Sequence, residues 1–324
     1  MTTLAITGIG GFIGLRMAER ARQRGWIVRG LDLSPQAAQR ASSIGAEVIV
    51  GSVNDAAAVQ RLLNGADLVF HTAAIVEEDG PRELYERVNI EGTRCVATIA
   101  RQSGVRHFIQ LSSVMVYGFD YPPEVAEDGP LDGDANIYNE TKLRSERVAM
   151  EFDDPAGMRV TVIRPGDVYG SGSVPWILRP LDLMRRGLFM LPDGGRGVIN
   201  HVHVDNLLDG VFLAIEQQAG GEIFNLSDGV ATSCRDYFGH VARIAGKRAP
   251  PSLPAPLLFA LIAISSRLWR WFGGRFPASA AATRFLMRKN RYSIAKAQQK
   301  LGYQPRIGLE QGMNAIAAER ARGG

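Results

Sequence analysis

Acidic residues are missing from one long stretch of this chain: none lies between Asp236 and Glu310, while 13 Lys and Arg fall there, from Arg243 to Arg306. The remainder holds 24 basic and 33 acidic residues, so the formal net charge of +4 over 324 residues averages two unlike parts. The overall near-balance excludes a dedicated nucleic-acid binder. Cysteine is almost absent. Cys95 and Cys234 stand far apart and outside any CxxC or His-paired spacing. This excludes a disulfide scaffold and a Cys-based metal site, and it fits a reducing, cytoplasmic setting. No run reaches the roughly 18–20 apolar residues that span a bilayer. The nearest candidate, Leu257–Ile264, is interrupted by Ser265, Ser266 and Arg267. The opening Met-Thr-Thr-Leu-Ala-Ile-Thr has no basic segment, so no secretory leader is expected. Internal repeats and low-complexity tracts are absent as well.

What is present fits a globular chain with ample length for a dry core: 46% hydrophobic and 22% charged residues. Short apolar runs at Leu4–Thr7, Ile27–Leu31, Glu47–Val50, Leu68–His71, His107–Leu111 and Val160–Arg164 alternate with helical patterns beginning near Phe12, Pro35, Ala56, Glu83 and Asn139. That rhythm predicts an α/β fold, a doubly wound parallel sheet with helices on both faces and ligands beyond the carboxyl ends of its strands. From Tyr169 the rhythm breaks at Pro175, Pro180, Pro192 and an Asp193–Gly197 turn. It returns as a strand over Val198–Val204, a helix over Asp205–Gln217 and a strand over Glu222–Leu226, before a proline-rich bend at Ala249–Pro256 and a helix from Leu309. The division expected is a nucleotide-binding core of 1–168 plus about 198–226, and a smaller, mostly helical lobe of about 169–197 and 227–324 that carries the basic 243–306 segment.

Thr7-Gly8-Ile9-Gly10-Gly11-Phe12-Ile13-Gly14 follows the first strand and opens a helix. Gly8, Gly11 and Gly14 supply a tight turn, close approach of backbone to a pyrophosphate, and close helix-on-strand packing. The helix N-terminus at Phe12 and Ile13 then offers free N–H groups to the phosphates. Asp32 ends the second strand, 18 residues after Gly14, where its carboxylate can accept both adenosine-ribose hydroxyls and repel a 2′-phosphate. The cofactor expected is therefore NAD rather than NADP. The alternative role for Asp32 is to cap the helix at Ser34-Pro35.

Tyr138-Asn139-Glu140-Thr141-Lys142 places a phenol and an ammonium one helical turn apart on one face. Alone, such a pair is an ordinary solvated helix face. Beside a cationic neighbour and an oxidised nicotinamide, the phenol can be brought toward neutrality and take a hydroxyl proton. Leu111-Ser112-Ser113-Val114-Met115-Val116-Tyr117-Gly118 follows the fifth strand and offers a serine hydroxyl to orient a substrate oxygen.

Together these elements resemble the extended short-chain dehydrogenase/reductases, the NAD-dependent epimerase/dehydratase superfamily. The resemblance runs nearly the whole chain, through His71-Thr72-Ala73-Ala74, Asn89-Ile90-Glu91-Gly92-Thr93, Arg164-Pro165-Gly166-Asp167-Val168-Tyr169-Gly170 and His203-Val204-Asp205-Asn206. It implies a Rossmann-type fold and a homodimer built on the helices at 82–103 and 139–153. It makes Tyr138 the acid/base, Lys142 the group that lowers its pKa and holds the nicotinamide ribose, and Ser113 the group polarising the substrate oxygen. It also implies cofactor contacts at His71, Thr72, Ala73, Ala74, Asn89, Pro165 and Val168. Many members have Gly-Asp after the third strand, whereas this chain has Gly51-Ser52, so at Ser52 the adenine contact is expected either to weaken or to pass to Val53 and the backbone. His201 and His203 lack a third ligand at metal spacing, and the match to the family's His-Val-Asp landmark implies a structural role.

Val114-Met115 stand where sugar-nucleotide dehydratases carry an Asp-Glu pair, so dehydration is disfavoured. The regions 171–178 and 285–292 lack the donors and the Arg-x-Gly-Asp segment of sugar-nucleotide 4-epimerases, the alternative reading. Leu191–Gly195, Asn200–Asn206 and Tyr292–Ala297 resemble the 3β-hydroxysteroid dehydrogenase and sterol-4-carboxylate dehydrogenase group instead. That likeness implies oxidation of a secondary alcohol, or reduction of a ketone, on an apolar skeleton. A non-catalytic NAD-binding assembly protein is the reading from another class. The segment Leu257–Phe272 is expected to pack as core, to form a hydrophobic lid, or to meet an anionic membrane peripherally, with Arg267 and Arg270 reaching toward headgroups and Arg275 adding charge just beyond.

Overall fold

Apolar runs too short for helices become buried strands here, and the amphipathic stretches between them become the covering helices. The computed structural model describes residues 1–77, 80–133, 136–271 and 280–322, with Arg270 through its backbone only. Phe272, Arg275 and the Arg270 side chain, named above, lie outside the described parts. The first half runs β1 (Thr3–Thr7), α1 (Phe12–Gln23), β2 (Ile27–Asp32), α2 (Pro35–Ser43), β3 (Glu47–Val50), α3 (Ala56–Leu63), β4 (Leu68–His71), α4 (Arg82–Tyr85), α5 (Gly92–Gln102), β5 (His107–Leu111), α6 (Ile137–Met150) and β6 (Arg159–Pro165). The second runs β7 (Asp167–Tyr169), α7 (Arg179–Arg185), β8 (Leu191–Pro192), β9 (Val198–Ile199), β10 (His201–His203), α8 (Val204–Glu216), β11 (Glu222–Leu226), β12 (Thr232–Ser233), α9 (Cys234–Ile244), β13 (Ser252–Leu253), α10 (Ala255–Trp271), α11 (Ala280–Phe285), α12 (Ala295–Leu301) and α13 (Leu309–Arg322).

Seven strands pair in parallel in the order β11-β6-β5-β4-β1-β2-β3. From β1 the chain moves outward through β2 and β3, then crosses back to β4 and proceeds the other way. The crevice at the carboxyl ends of β1 and β4 is therefore the switch point where such sheets bind ligands. One core lies on each face: Ile6, Phe70, Phe212 and Phe224 on one side, Val59, Val96, Phe108 and Val160 on the other. A third core, around Ile177, Leu181, Leu191, Tyr237, Phe238 and Ile316, belongs to the elements outside the sheet.

Side-chain caps start the helices that matter for the site. Ser34 accepts from the Ala37 N–H, Asp55 from Ala57 and Ala58, and Asn136 from Asn139 at the head of α6. Ser34, not Asp32, is thus the cap of α2. Between α4 and α5 the helix widens into a π-turn over Glu86–Glu91. The single strand expected over Val198–Val204 is instead two. β9 pairs antiparallel with β12, β10 pairs parallel with β7, and Val204 already begins α8. Asn200 separates them because its N–H goes to the Asp167 carboxylate at 2.9 Å.

Arg288, just after α11, is buried and donates from Nη2 to Asp167 Oδ2 at 2.6 Å, tying the late part of the chain to β7. Removing one partner of a buried pair strands the other charge away from water. Arg288→Met should therefore lower the unfolding free energy by about 3–5 kcal/mol, read from urea denaturation, whereas a cost under about 1 kcal/mol would show the pair to be solvated.

Candidate active site

The turn after β1 is shaped by what its glycines leave out. Gly8 has φ +68°, and a Cβ there would meet the Ala73 backbone at 3.0 Å. A Cβ on Gly14 would lie 2.4 Å from the Gly8 carbonyl oxygen, so only glycine lets α1 seat this close to the turn. Gly11 precedes α1 without a side-chain cap, leaving the first N–H groups of the helix, at Phe12 and Ile13, to be met from outside. At the end of β2, Asp32 Oδ2 accepts from the Gly10 N–H and Oδ1 from the Ser34 N–H, each at 2.9 Å. Those bonds hold the carboxylate beside the turn and leave further lone pairs on both oxygens.

On the other side of the switch point, Ser113 ends the run out of β5 and caps a 3-10 turn over Val114–Tyr117, its Oγ accepting from the Met115 N–H at 3.1 Å. Its side chain is also hydrogen bonded to the Tyr138 side chain. Burial pushes the Tyr138 phenol up from its ordinary value, and the Ser113 bond counters that only in part. Lys142, one turn further along α6, donates from Nζ to the Leu111 carbonyl at 2.5 Å. Burial pulls the Lys142 ammonium down to about 8, and the Glu146 carboxylate resists that pull.

Glu146 is the residue that the motif reading missed, although Tyr138, Lys142 and Glu146 are spaced four apart on one face of α6. Its buried carboxylate accepts from Ser112 Oγ at 2.7 Å and from Arg164 Nε at 3.1 and 3.2 Å, with a further short bond from Arg164 Nη2. Arg164 in turn donates to Tyr117 Oη at 2.7 Å and the Glu127 carbonyl at 2.9 Å, and Tyr117 Oη donates to Asn225 Oδ1 at 2.9 Å. The neighbours of Ser113 and Tyr138 are thus tied to β6 and, through Tyr117, to β11 by one carboxylate.

The remaining expected contacts divide by what their side chains already do. Both His71 nitrogens are taken, by Thr7 Oγ1 at 2.7 Å and Thr93 Oγ1 at 3.0 Å. Burial, then the Lys142 charge, hold that imidazole down at about 3, so it is neutral. Asn89, in the π-turn, accepts from the Ile75 N–H and donates to Thr141 Oγ1. It fixes the 72–75 segment to α6 rather than presenting its amide to the crevice. Thr72 donates to the Thr7 carbonyl at 2.7 Å, while Ala73 and Ala74 are half-buried beside Gly8. Ser52 Oγ accepts from the Asn54 N–H, Val53 is buried against Gly92, and Pro165 and Val168 are buried at the end of β6 and in β7. His201 bridges Asp228 and Thr232 at 2.8 Å each, and His203 caps α8.

Residues 4–227 match the model of the NAD dependent epimerase/dehydratase family. The chain belongs to that family. It is 28% identical over 316 residues to a 4-hydroxy-2-methyl-3-oxo-4-farnesyl-3,4-dihydroquinoline-1-oxide ketoreductase of Stigmatella aurantiaca, across 96% of this chain and 94% of the relative. A 3-beta-hydroxysteroid dehydrogenase of Mycolicibacterium neoaurum is 27% identical, across 95% and 88%. Among solved structures, the UDP-glucose 4-epimerase of Thermotoga maritima superposes with a TM-score of 0.82 at 22% identity, over 99% of both chains, a likeness of fold.

The cofactor of this epimerase/dehydratase-type enzyme is NAD, and the residues fit it: Gly8 and Gly14 let the turn and α1 pack tightly behind β1, α1 presents uncapped N–H groups at its start, and the Asp32 carboxylate is held beside that turn with lone pairs to spare for ribose hydroxyls. Asp32→Ala should cut the preference for NAD over NADP by about tenfold in kcat/KM, the scale of one charged hydrogen bond, and a variant with unchanged preference would remove Asp32 from the ribose site. Glu146→Gln should draw the alkaline fall of kcat about 1 pH unit lower, because Lys142 then loses its proton more easily. An unmoved profile would show that Glu146 only packs.

Proposed function

We propose that the enzyme interconverts a secondary alcohol and a ketone on an apolar, steroid-like or lipid-like substrate. The observation that carries this reading is the character of the wall beyond Ser113. Met115, two residues on, touches Arg288, whose guanidinium is neutralised by Asp167 and lies 3.5 Å from the centre of the Phe285 ring. Phe285 packs in turn on Trp176 at 5.1 Å and Phe119 at 6.5 Å between ring centres, and all three rings are half-buried. The guanidinium buried in this wall is already paired with Asp167, so it is not free to meet a diphosphate. The ketoreductase and steroid dehydrogenase relatives, named for farnesyl-bearing and steroid compounds, support the same class.

In the oxidation direction the substrate oxygen lies between Ser113 Oγ and Tyr138 Oη. Ser113 donates to that oxygen and orients it. Tyr138, as phenolate, takes the hydroxyl proton while the carbinol C–H bond breaks and the carbonyl forms. NAD, when bound, supplies the hydride acceptor and, in its oxidised form, a positive charge that favours the phenolate. Lys142, held cationic by Glu146 and anchored to Leu111, adds charge from beneath and can hold the nicotinamide ribose. Val114 and Met115 carry no proton-transfer group, so loss of water from the substrate has no acid or base of its own.

Tyr138→Phe should lower kcat about a hundredfold to ten-thousandfold with NAD binding nearly unchanged, the usual worth of a positioned acid/base. The deciding measurement is NADH formation with a panel of hydroxysteroids and prenylated alcohols beside UDP-sugars. Net NADH with the apolar alcohols is the expected result. Interconversion of UDP-hexoses without net NADH would replace this reading with epimerisation.

A further inference from the structure

Helix α10 presents two apolar faces, and only one of them is covered. Ala255, Leu258 and Ile262 are buried on the inner side. Leu257, Leu261, Ile264, Leu268 and Trp271 are between 46% and 84% exposed. Their spacing of four, three, four and three places all five within an arc of about 80° on an ideal helix, a continuous stripe of large apolar side chains facing solvent. Leaving such a stripe in water is unfavourable, and scattered single exposures do not explain five in register. No helix among the described residues is long and apolar enough to cross a membrane.

We propose that this stripe docks in the plane of an anionic lipid surface. Charge selects that occupant. The helix lies within the stretch from 237 to 309, which contains no acidic residue. Arg267, one turn from both Ile264 and Trp271, borders the stripe and is exposed. Lys247 and Arg248, shortly before the helix, and Arg284, on the α11 helix that packs against it, are also exposed. A lipid surface with negative headgroups meets both halves of this pattern, taking the apolar side chains below the headgroups and the cations among them. A second copy of the chain meets only one half, because a two-fold contact through α10 would bring the same basic borders face to face.

The position of α10 gives the docking a use. Through α11 it connects to Phe285, and so to the Trp176–Phe119 wall and Met115 beside Ser113. A substrate dissolved in the lipid would have its entry on the docked side. The docking itself does not depend on the substrate reading above, and the two can fail separately.

The test is co-sedimentation of the full chain with phosphatidylcholine vesicles, with and without phosphatidylglycerol, at low and high salt. Binding should require the anionic lipid and weaken as salt screens the headgroups. The triple variant Leu261→Ser, Ile264→Ser, Leu268→Ser should bind at least about tenfold more weakly, since three partly buried side chains are lost, while turning over a short, water-soluble alcohol at the unaltered rate. Three results would each overturn the proposal: no vesicle binding by the unaltered chain at low salt, equal binding by the triple variant, or a dimer that the variant dissociates without any vesicle binding. The last would assign the stripe to contact between copies.

Discussion

A carboxylate withdrawn from water must be met by donors, and Glu146 is met from two strands at once. Ser112, just past β5, and Arg164, on β6, both donate to it, while the Lys142 ammonium one turn earlier on the same helix is attracted to it through charge. The candidate active site depends on that convergence. Ser112 adjoins Ser113, and Tyr138 stands two turns before Glu146, so the hydroxyl and the phenol are fixed relative to each other through a group hydrogen bonded to the neighbour of one and carried on the helix of the other. Replacing a buried ion pair by apolar side chains is often neutral or favourable for stability. The pair at Glu146 is better understood through what it orients, together with its effect on Lys142, which burial alone would discharge more readily.

The second buried pair, Asp167 with Arg288, has a different consequence. It joins β7 to the chain following α11 and, in doing so, pairs a buried cation beside Met115 and Phe285. With that guanidinium neutralised and flanked by Phe285, Tyr292 and Met115, the wall offers rings and a thioether rather than free charge. One contact thus serves cohesion and, on the proposed function, selectivity together. The same stacking that shields Arg288 gives the wall its aromatic character.

Much of the sheet was legible in the sequence because each strand is a short apolar run bounded by turn residues. The strands at Glu47–Val50, Leu68–His71, His107–Leu111 and Glu222–Leu226 fall where periodicity put them. The glycine turn and the Tyr138–Lys142 pair were legible for the same local reason. What escaped was partnership over distance. Nothing near Arg288 announces Asp167, 121 positions away, and nothing near Asn200 announces that its N–H will leave a strand ladder for that carboxylate. His71 and Asn89 were visible as motif members. That their side chains would be consumed by Thr7, Thr93, Ile75 and Thr141 required the fold. Lys142 was placed on the right face, but its direction toward Leu111 follows from the carbonyl at the end of β5, which no helical spacing reveals.

The uneven charge of the chain takes on meaning in the same way. Several cations of the acid-free stretch reach outside it for partners: Arg288 to Asp167, Arg291 to Glu124, and Lys296 and Lys300 to Glu222. These fasten the later part of the chain onto the sheet and its loops, so part of the imbalance is internal cohesion between a basic segment and an acidic remainder. Exposed cations such as Lys247, Arg248, Arg267 and Arg284 flank or lie on α10 and α11. Exposed positive charge therefore borders a helix that shows an apolar stripe to solvent. A helix that merely completed the core would need neither feature, and a solubilising surface would not carry the stripe. Their coincidence on α10 is what separates a binding face from an unfinished one.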